Sequence, residues 1–192
     1  KMSLAQNAMF WTNIGTMTSF EKIKILPPNS YLKLDKEMNL KVKTYENYFF
    51  LKKNVNNDLN LYELLENSVK KQIFGEVGFC SYLSGGIDSS IIAFLLNKIS
   101  KSPIDTFSIS FRDKAYDESA AQKKVAHFLK SNHYSIKVGN EEIANNFLKT
   151  IHHTETFLFR TAPVPMFLLA NYVKKNGHKV FFTGEGADEI FF

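Results

Sequence analysis

The chain has one cysteine, no long apolar run and no block of like charge, and each shortage narrows what it is. A lone Cys80 rules out an internal disulfide and suits a reducing compartment, so a cytoplasmic protein is expected. It stands in an apolar run and reads as a small buried hydrophobe rather than a nucleophile. No stretch reaches the roughly 18 apolar residues of a membrane span, and Lys1-Met2-Ser3 does not open a signal peptide. The net charge is +5, carried by single or paired lysines such as Lys70-Lys71 and Lys123-Lys124. That pattern predicts a solvated surface, not a nucleic-acid groove. His127, His133, His152, His153 and His178 lack the spacing of a zinc site. There is no Gly-Lys-Ser/Thr ending to make a Walker loop, and no G-x-S-x-G elbow to make Ser84 or Ser89 a hydrolase nucleophile. Internal repeats and low-complexity segments are absent too.

What is present is aromatic and foldable. Phe alone supplies 18 of the 192 residues, which argues against disorder and allows one domain with an appendage. The most informative stretch is Ser84-Gly85-Gly86-Ile87-Asp88-Ser89-Ser90. The apolar run Val77–Leu83 precedes it with the length of a buried strand. Ile91, Ile92, Phe94, Leu95 and Leu96 follow, spaced for a helix that buries most of its faces. In a strand–turn–helix unit, loop N–H groups and the positive end of the helix dipole converge on one point, which favours an anion. The glycines let the backbone approach that anion, and Ser84, Ser89 and Ser90 offer hydroxyls. Asp88 would repel phosphate unless a cation lay between them, and Mg²⁺ is commonly held by one or two carboxylates plus phosphate oxygens. The plainer reading is a Gly-rich turn with Asp88 as a helix cap.

Around this loop the chain divides into a β-rich segment and an alternating one. Phe20–Leu26, Tyr31–Leu34 and Leu40–Tyr45 alternate as half-buried strands do, with a turn at Pro27-Pro28-Asn29-Ser30. Residues 51–57 read as a polar linker. Asp58 then caps a helix to about Phe74, with Leu61, Leu65, Val69 and Ile73 in one stripe. Strands at Asp105–Phe111, His133–Val138 and Lys179–Thr183 alternate with helices from about Asp117, over Glu141–His152 and over Met166–Asn176. The first of these helices points Ala121, Val125, Phe128 and Leu129 inward. The pattern predicts an α/β fold, a doubly wound parallel sheet with helices on both faces, preceded by a small β-rich piece. Ligands in such sheets bind at the carboxyl ends of the strands.

Thr183-Gly184-Glu185-Gly186-Ala187-Asp188-Glu189 leaves the last strand at that same edge. Its three carboxylates in five residues need a cation or a positive partner, unless they form a plain solvated turn. S-G-G-I-D-S followed about a hundred residues later by T-G-E-G-A-D-E resembles the synthetase domain of glutamine-dependent asparagine synthetases. These are ATP pyrophosphatases of the PP-loop type. Phe111–Glu118 and Glu155–Pro163 are similar to the same family, and residues 1–50 look like the end of its glutaminase domain, with Asn29 in place of a turn glycine.

The resemblance implies an adenine nucleotide alpha hydrolase-like fold for residues 58–192, joined through 51–57 to the glutaminase tail. It implies ATP and Mg²⁺, with Leu83, Ser84, Gly85, Gly86, Asp88, Ser89, Ile109, Thr183 and Gly184 on the nucleotide. Asp88 and Asp188 match the metal ligands, and Glu185 matches a catalytic residue near the acyl adenylate. The implied partners are small molecules (ATP, aspartate and glutamine-derived ammonia); a homodimer is one assembly the sequence allows. A related acceptor, such as a surface-sugar carboxylate or a β-lactam precursor, fits the same motifs, as does a nucleotide-binding module without turnover. The N-terminal cysteine nucleophile of the family is not at Lys1, and the family's further helical region would follow Phe192. The 192 residues therefore read as an internal fragment, not expected to make asparagine alone.

Overall fold

The computed structural model describes residues 2–45, 60–73, 75 and 77–191. The proposed linker at 51–57 and the proposed cap Asp58 lie outside them. The chain divides into two compact units, residues 1–57 with 151–160 and residues 58–150 with 161–192.

The first unit opens with a helix that the sequence pattern did not suggest, α1 (Met2–Phe10). Asn13 fastens it: its side-chain oxygen accepts from the Ser3 hydroxyl at 2.6 Å and from the Asn7 amide. The expected strand at Phe20–Leu26 does not form, and only an isolated bridge joins Met17 to Lys24. The reason is local. The Thr18 hydroxyl bonds the carbonyls of Phe20 and Ile23 and the Phe20 N–H, drawing the backbone into a turn in place of a ladder. The other two strands are as expected: β1 (Ser30–Leu34) and β2 (Leu40–Thr44) pair antiparallel. Asn29 enters them in the left-handed conformation, φ 57°.

The second unit carries the remaining elements except the tail of one helix. They run α2 (Leu61–Gln72), β3 (Phe79–Tyr82), α3 (Ile87–Ile99), β4 (Asp105–Phe111), α4 (Ser119–Leu129), β5 (Asn132–Val138), α5 (Asn140–Thr154), α6 (Pro163–Lys175), β6 (Val180–Phe182) and α7 (Asp188–Phe191). Asn60 caps α2 by accepting from the Tyr62 N–H at 3.0 Å. The four strands form one sheet in the order β5-β4-β3-β6, every pair parallel. Period-two alternation assigns the faces. Phe79 and Leu83 turn toward α2, α3 and α4, where Ala93, Leu95, Leu96, Ala126 and Leu129 make the larger core. Cys80, Tyr82 and Phe107 turn the other way, onto Leu169 and Val173 of α6. The doubly wound α/β sheet is therefore observed. Burial pushes the Cys80 thiol up to about 12, with nearby Asp105 adding to it, so the thiolate is absent near neutrality and the residue is packing, as expected.

Three helix details depart from the sequence pattern. Helix α3 buries one face rather than most, leaving Ile87, Ile91 and Phe94 exposed. Helix α6 begins at Pro163, three residues earlier than Met166. Phe128 is 75% exposed instead of inward, because α4 buries the 122/126/129 stripe, to which Phe128 does not belong.

Candidate active site

The site forms where the chain reverses direction across the sheet. From β3 the chain runs outward through β4 to β5, then returns to place β6 on the other side of β3. Cys80 pairs with Phe181 and Ser81 with Phe182, so the loops after β3 and β6 leave side by side at one carboxyl edge. A reversal of this kind opens a crevice in which ligands of α/β sheets bind.

The first loop is held by its own serines. Ser84 N–H donates to the Ser89 hydroxyl at 3.1 Å, and Gly86 N–H donates to the Ser84 hydroxyl at 3.1 Å. The two hydroxyls are 2.9 Å apart. Ser89 and Ser90 donate to the Gly86 carbonyl at 3.2 and 2.6 Å. These hydroxyls, read from the sequence as donors to a ligand, thus shape the loop in this structure. Gly86 is the N-cap of α3, not Asp88, which sits in the first turn. The first helical bond is Ser90 N–H to Gly86 carbonyl, so the N–H groups of Ile87, Asp88 and Ser89 precede the ladder and point out of the helix start.

The second loop closes onto the first. A Cβ on Gly184 would lie 2.7 Å from the Ser89 nitrogen and 2.8 Å from both the carbonyl carbon and the Cβ of Asp88. Only a glycine permits that approach. Beside the junction lies a cavity of about 870 Å³, whose walls include Asp88, Thr183, Gly184 and Glu185 together with Leu61 and Phe181. Asp188 begins α7 four residues after Gly184 and is exposed. Ser84, Gly85, Gly86, Ser89 and Ile109 are not among the cavity's walls. Leu83 lies below the rim at 1% exposure, its N–H bonded to the Phe107 carbonyl and its own carbonyl to the Ser108 hydroxyl.

Hard oxygen donors suit Mg²⁺, which needs only one or two protein carboxylates when phosphate oxygens and waters complete its shell. Asp88 at the loop junction, with Asp188 at the start of the helix that follows the Gly184 loop, fits that donor set. Among the described residues no group of three or more His, Cys, Asp or Glu gathers as an all-protein metal cage.

The β4 side of the rim carries groups that spacing alone did not single out. Asp117 accepts from the Ser119 hydroxyl at 2.8 Å and the Phe111 N–H at 3.1 Å, and these bonds hold its carboxyl below the ordinary range. Arg112 lies 2.6 Å from Glu142, which also accepts from the Gly139 N–H at 2.9 Å. The Arg112 guanidinium is the main reason the Glu142 carboxyl titrates low. A depressed carboxylate contributes stability above its unfolded pKa and loses it as pH falls through the folded one. Glu142→Gln is therefore expected to lower the melting temperature slightly near neutral pH. The difference from wild type should close in acid below the ordinary carboxylate range, as thermal melts across pH would record. A constant difference at every pH would remove the ion pair from the explanation. Gln122 is the other residue missed. The stripe expected inward from the sequence, 121, 125, 128 and 129, does not include it; the packing of α4 buries it with Ala126 and Leu129.

With this geometry in hand, the sequence profile of the asparagine synthase family matches residues 60–192. The chain belongs to the asparagine synthase family. Among curated members, the glutamine-hydrolysing asparagine synthetase of Homo sapiens is 36% identical over 139 residues, covering 68% of this chain and 24% of that protein. That of Zea mays is 33% identical over 146 residues, covering 70% and 25%. The chain thus spans about a quarter of the length of these relatives. Among solved structures, an NMN synthetase from Francisella tularensis aligns with TM-score 0.43 and 24% identity over 62% of this chain and 51% of that one. An NH3-dependent NAD synthetase from Campylobacter jejuni aligns with TM-score 0.44 and 18% identity over 62% and 53%.

Proposed function

We propose that this asparagine synthase family chain carries the nucleotide half of an ATP-dependent, amide-forming ligase. In this reading ATP activates the side-chain carboxylate of aspartate as an acyl adenylate with release of pyrophosphate. Ammonia derived from glutamine then displaces AMP. The observation that carries it is the seating of Gly184 on Asp88 and Ser89, which makes the Gly-rich loop and the acidic loop a single rim. Residues 1–50 would be the tail of the glutaminase domain and 51–57 the linker.

The chain's own groups would divide the work as follows. The N–H groups of Ile87, Asp88 and Ser89 at the start of α3 hold the pyrophosphate and take up charge as it leaves. The serine bonds keep the glycine turn in the shape that presents them. Asp88 and Asp188 would hold Mg²⁺, which when bound supplies neutralisation of the phosphate charge. Thr183 and Gly184 would contact the nucleotide on the β6 side, and Leu83 and Ile109 at β3 and β4. Glu185, which lines the same cavity as Asp88, would meet and orient the arriving amine.

Titration calorimetry tests the reading. The chain should bind ATP in the presence of Mg²⁺, and Asp88→Asn should weaken that binding by about tenfold or more, the loss of one charged hydrogen-bonding group on a phosphate–metal site. Unchanged Mg²⁺-dependent binding in both Asp88→Asn and Asp188→Asn would remove the metal site. For the acceptor, the whole protein should release pyrophosphate, not phosphate, and only when aspartate is supplied.

A further inference from the structure

Gln122 is a buried amide with half of its hydrogen bonding unmet, and it sits at the junction of the two strands that flank the loop. It is 3% exposed. Its Nε2 donates to the Ile109 carbonyl at 2.8 Å, while its Oε1 is buried with no partner among the described residues. The location follows from the ladder. Leu83 N–H takes the Phe107 carbonyl at 2.9 Å, the last rung between β3 and β4. Two residues on, the Ile109 carbonyl faces the same side, but β3 has already turned into the glycine loop. The Gln122 amide stands in the place of the missing peptide. The backbone that carries it is pressed against the loop, since a Cβ on Gly85 would lie 2.9 Å from the Ala121 Cβ and 3.1 Å from the Gln122 backbone nitrogen. An apolar residue would leave the Ile109 carbonyl without this donor; the amide supplies it but brings a buried acceptor of its own, and a buried unpaired acceptor calls for a donor.

We propose that Gln122 is a specificity-determining residue for the nucleoside: its Oε1 accepts a hydrogen bond from a donor on the nucleoside, either the exocyclic amine of the base or a ribose hydroxyl. This rests on the nucleotide reading above and adds to it which residue distinguishes the nucleoside from a bare pyrophosphate. With phosphates at the start of α3, a nucleoside reaching back along β4 meets Ile109 and the amide fastened to it. Nε2 stays on the Ile109 carbonyl, so the side chain presents an acceptor and rejects a ligand that places a carbonyl oxygen there.

Titration calorimetry on the 192-residue chain separates the possibilities. The probes are ATP, inorganic pyrophosphate, purine riboside triphosphate (which lacks the amine), and 2′-deoxy- and 3′-deoxy-ATP. One of the three analogues should bind about tenfold more weakly than ATP, and which one identifies the donor. Gln122→Met should bind ATP about tenfold more weakly, no longer distinguish that analogue from ATP, and keep its pyrophosphate affinity within about twofold. The inference is overturned if all three analogues match ATP on the wild-type chain, an arm that needs no variant to fold. It is equally overturned if Gln122→Met binds ATP as wild type, or loses ATP and pyrophosphate in the same proportion. Wild-type chain that binds neither ATP nor pyrophosphate would remove the nucleotide site and this residue's role with it. Binding of both with no effect of Gln122 removes this role alone.

Discussion

Gly184→Ala is expected to separate the two loops and to weaken binding of Mg²⁺-ATP by tenfold or more. The added Cβ would meet backbone and Cβ atoms of Asp88 and Ser89 at 2.7 to 2.8 Å, closer than carbon and nitrogen tolerate. None of these is the far end of a flexible side chain. Either the first turn of α3 must shift or the Thr183–Ala187 loop must lift from it. Overpacking of this kind typically costs about 1–3 kcal/mol. The functional loss should exceed the loss of stability in importance, because the N–H groups that would hold pyrophosphate belong to the displaced turn. Gly78→Ala is the matched control: nothing lies within 4 Å of its Cβ position, so it should leave both binding and melting temperature unchanged. Calorimetry with pyrophosphate and with ATP, alongside thermal melts, measures both quantities. A Gly184→Ala protein with wild-type stability and wild-type affinity would show that contact between the loops is not what builds the site.

Phe107→Ala should produce the largest loss of stability, about 3–5 kcal/mol by urea unfolding, as for other large aromatics removed from a core. Phe107 has no exposed surface. Its ring stacks on Tyr134 at 5.2 Å and meets Tyr172 and His178 edge-on at 5.8 and 5.5 Å. The same residue joins strand to site, since its carbonyl takes the Leu83 N–H at the point where β3 gives way to the glycine loop. His178 in turn hydrogen-bonds Asp105 at 2.7 Å, so the ring also supports that contact at the opposite end of β4. A loss below about 1.5 kcal/mol would mean the neighbouring rings collapse into the space, and that the strand's position does not depend on this side chain.

The contrast between residues 20–26 and residues 105–111 shows where local pattern suffices. Both alternate convincingly. Asp105–Phe111 has parallel neighbours on both sides and buries both faces, so its apolar residues have somewhere to go. At Phe20–Leu26 the Thr18 hydroxyl bonds the Phe20 and Ile23 carbonyls, and among the described residues only the Met17–Lys24 bridge pairs the segment. Helix α4 makes the same point with side chains. Its length was readable, but whether Phe128 or Gln122 faced the sheet depended on the rotation of the helix, which only packing against β4 and the glycine loop fixes.

From its amino acids alone this chain determined the alternation of strands and helices, the glycine turn before α3, and the acidic turn after β6. These depend on backbone freedom and apolar spacing within a dozen or so residues, which act before any distant contact forms. What tertiary structure decided was that β6 returns to lie beside β3 from a hundred residues away, that Gly184 seats on Asp88, and that Gln122 closes the gap where the β3–β4 ladder stops. Those depend on which surfaces must be buried together, and no local stretch carries that information.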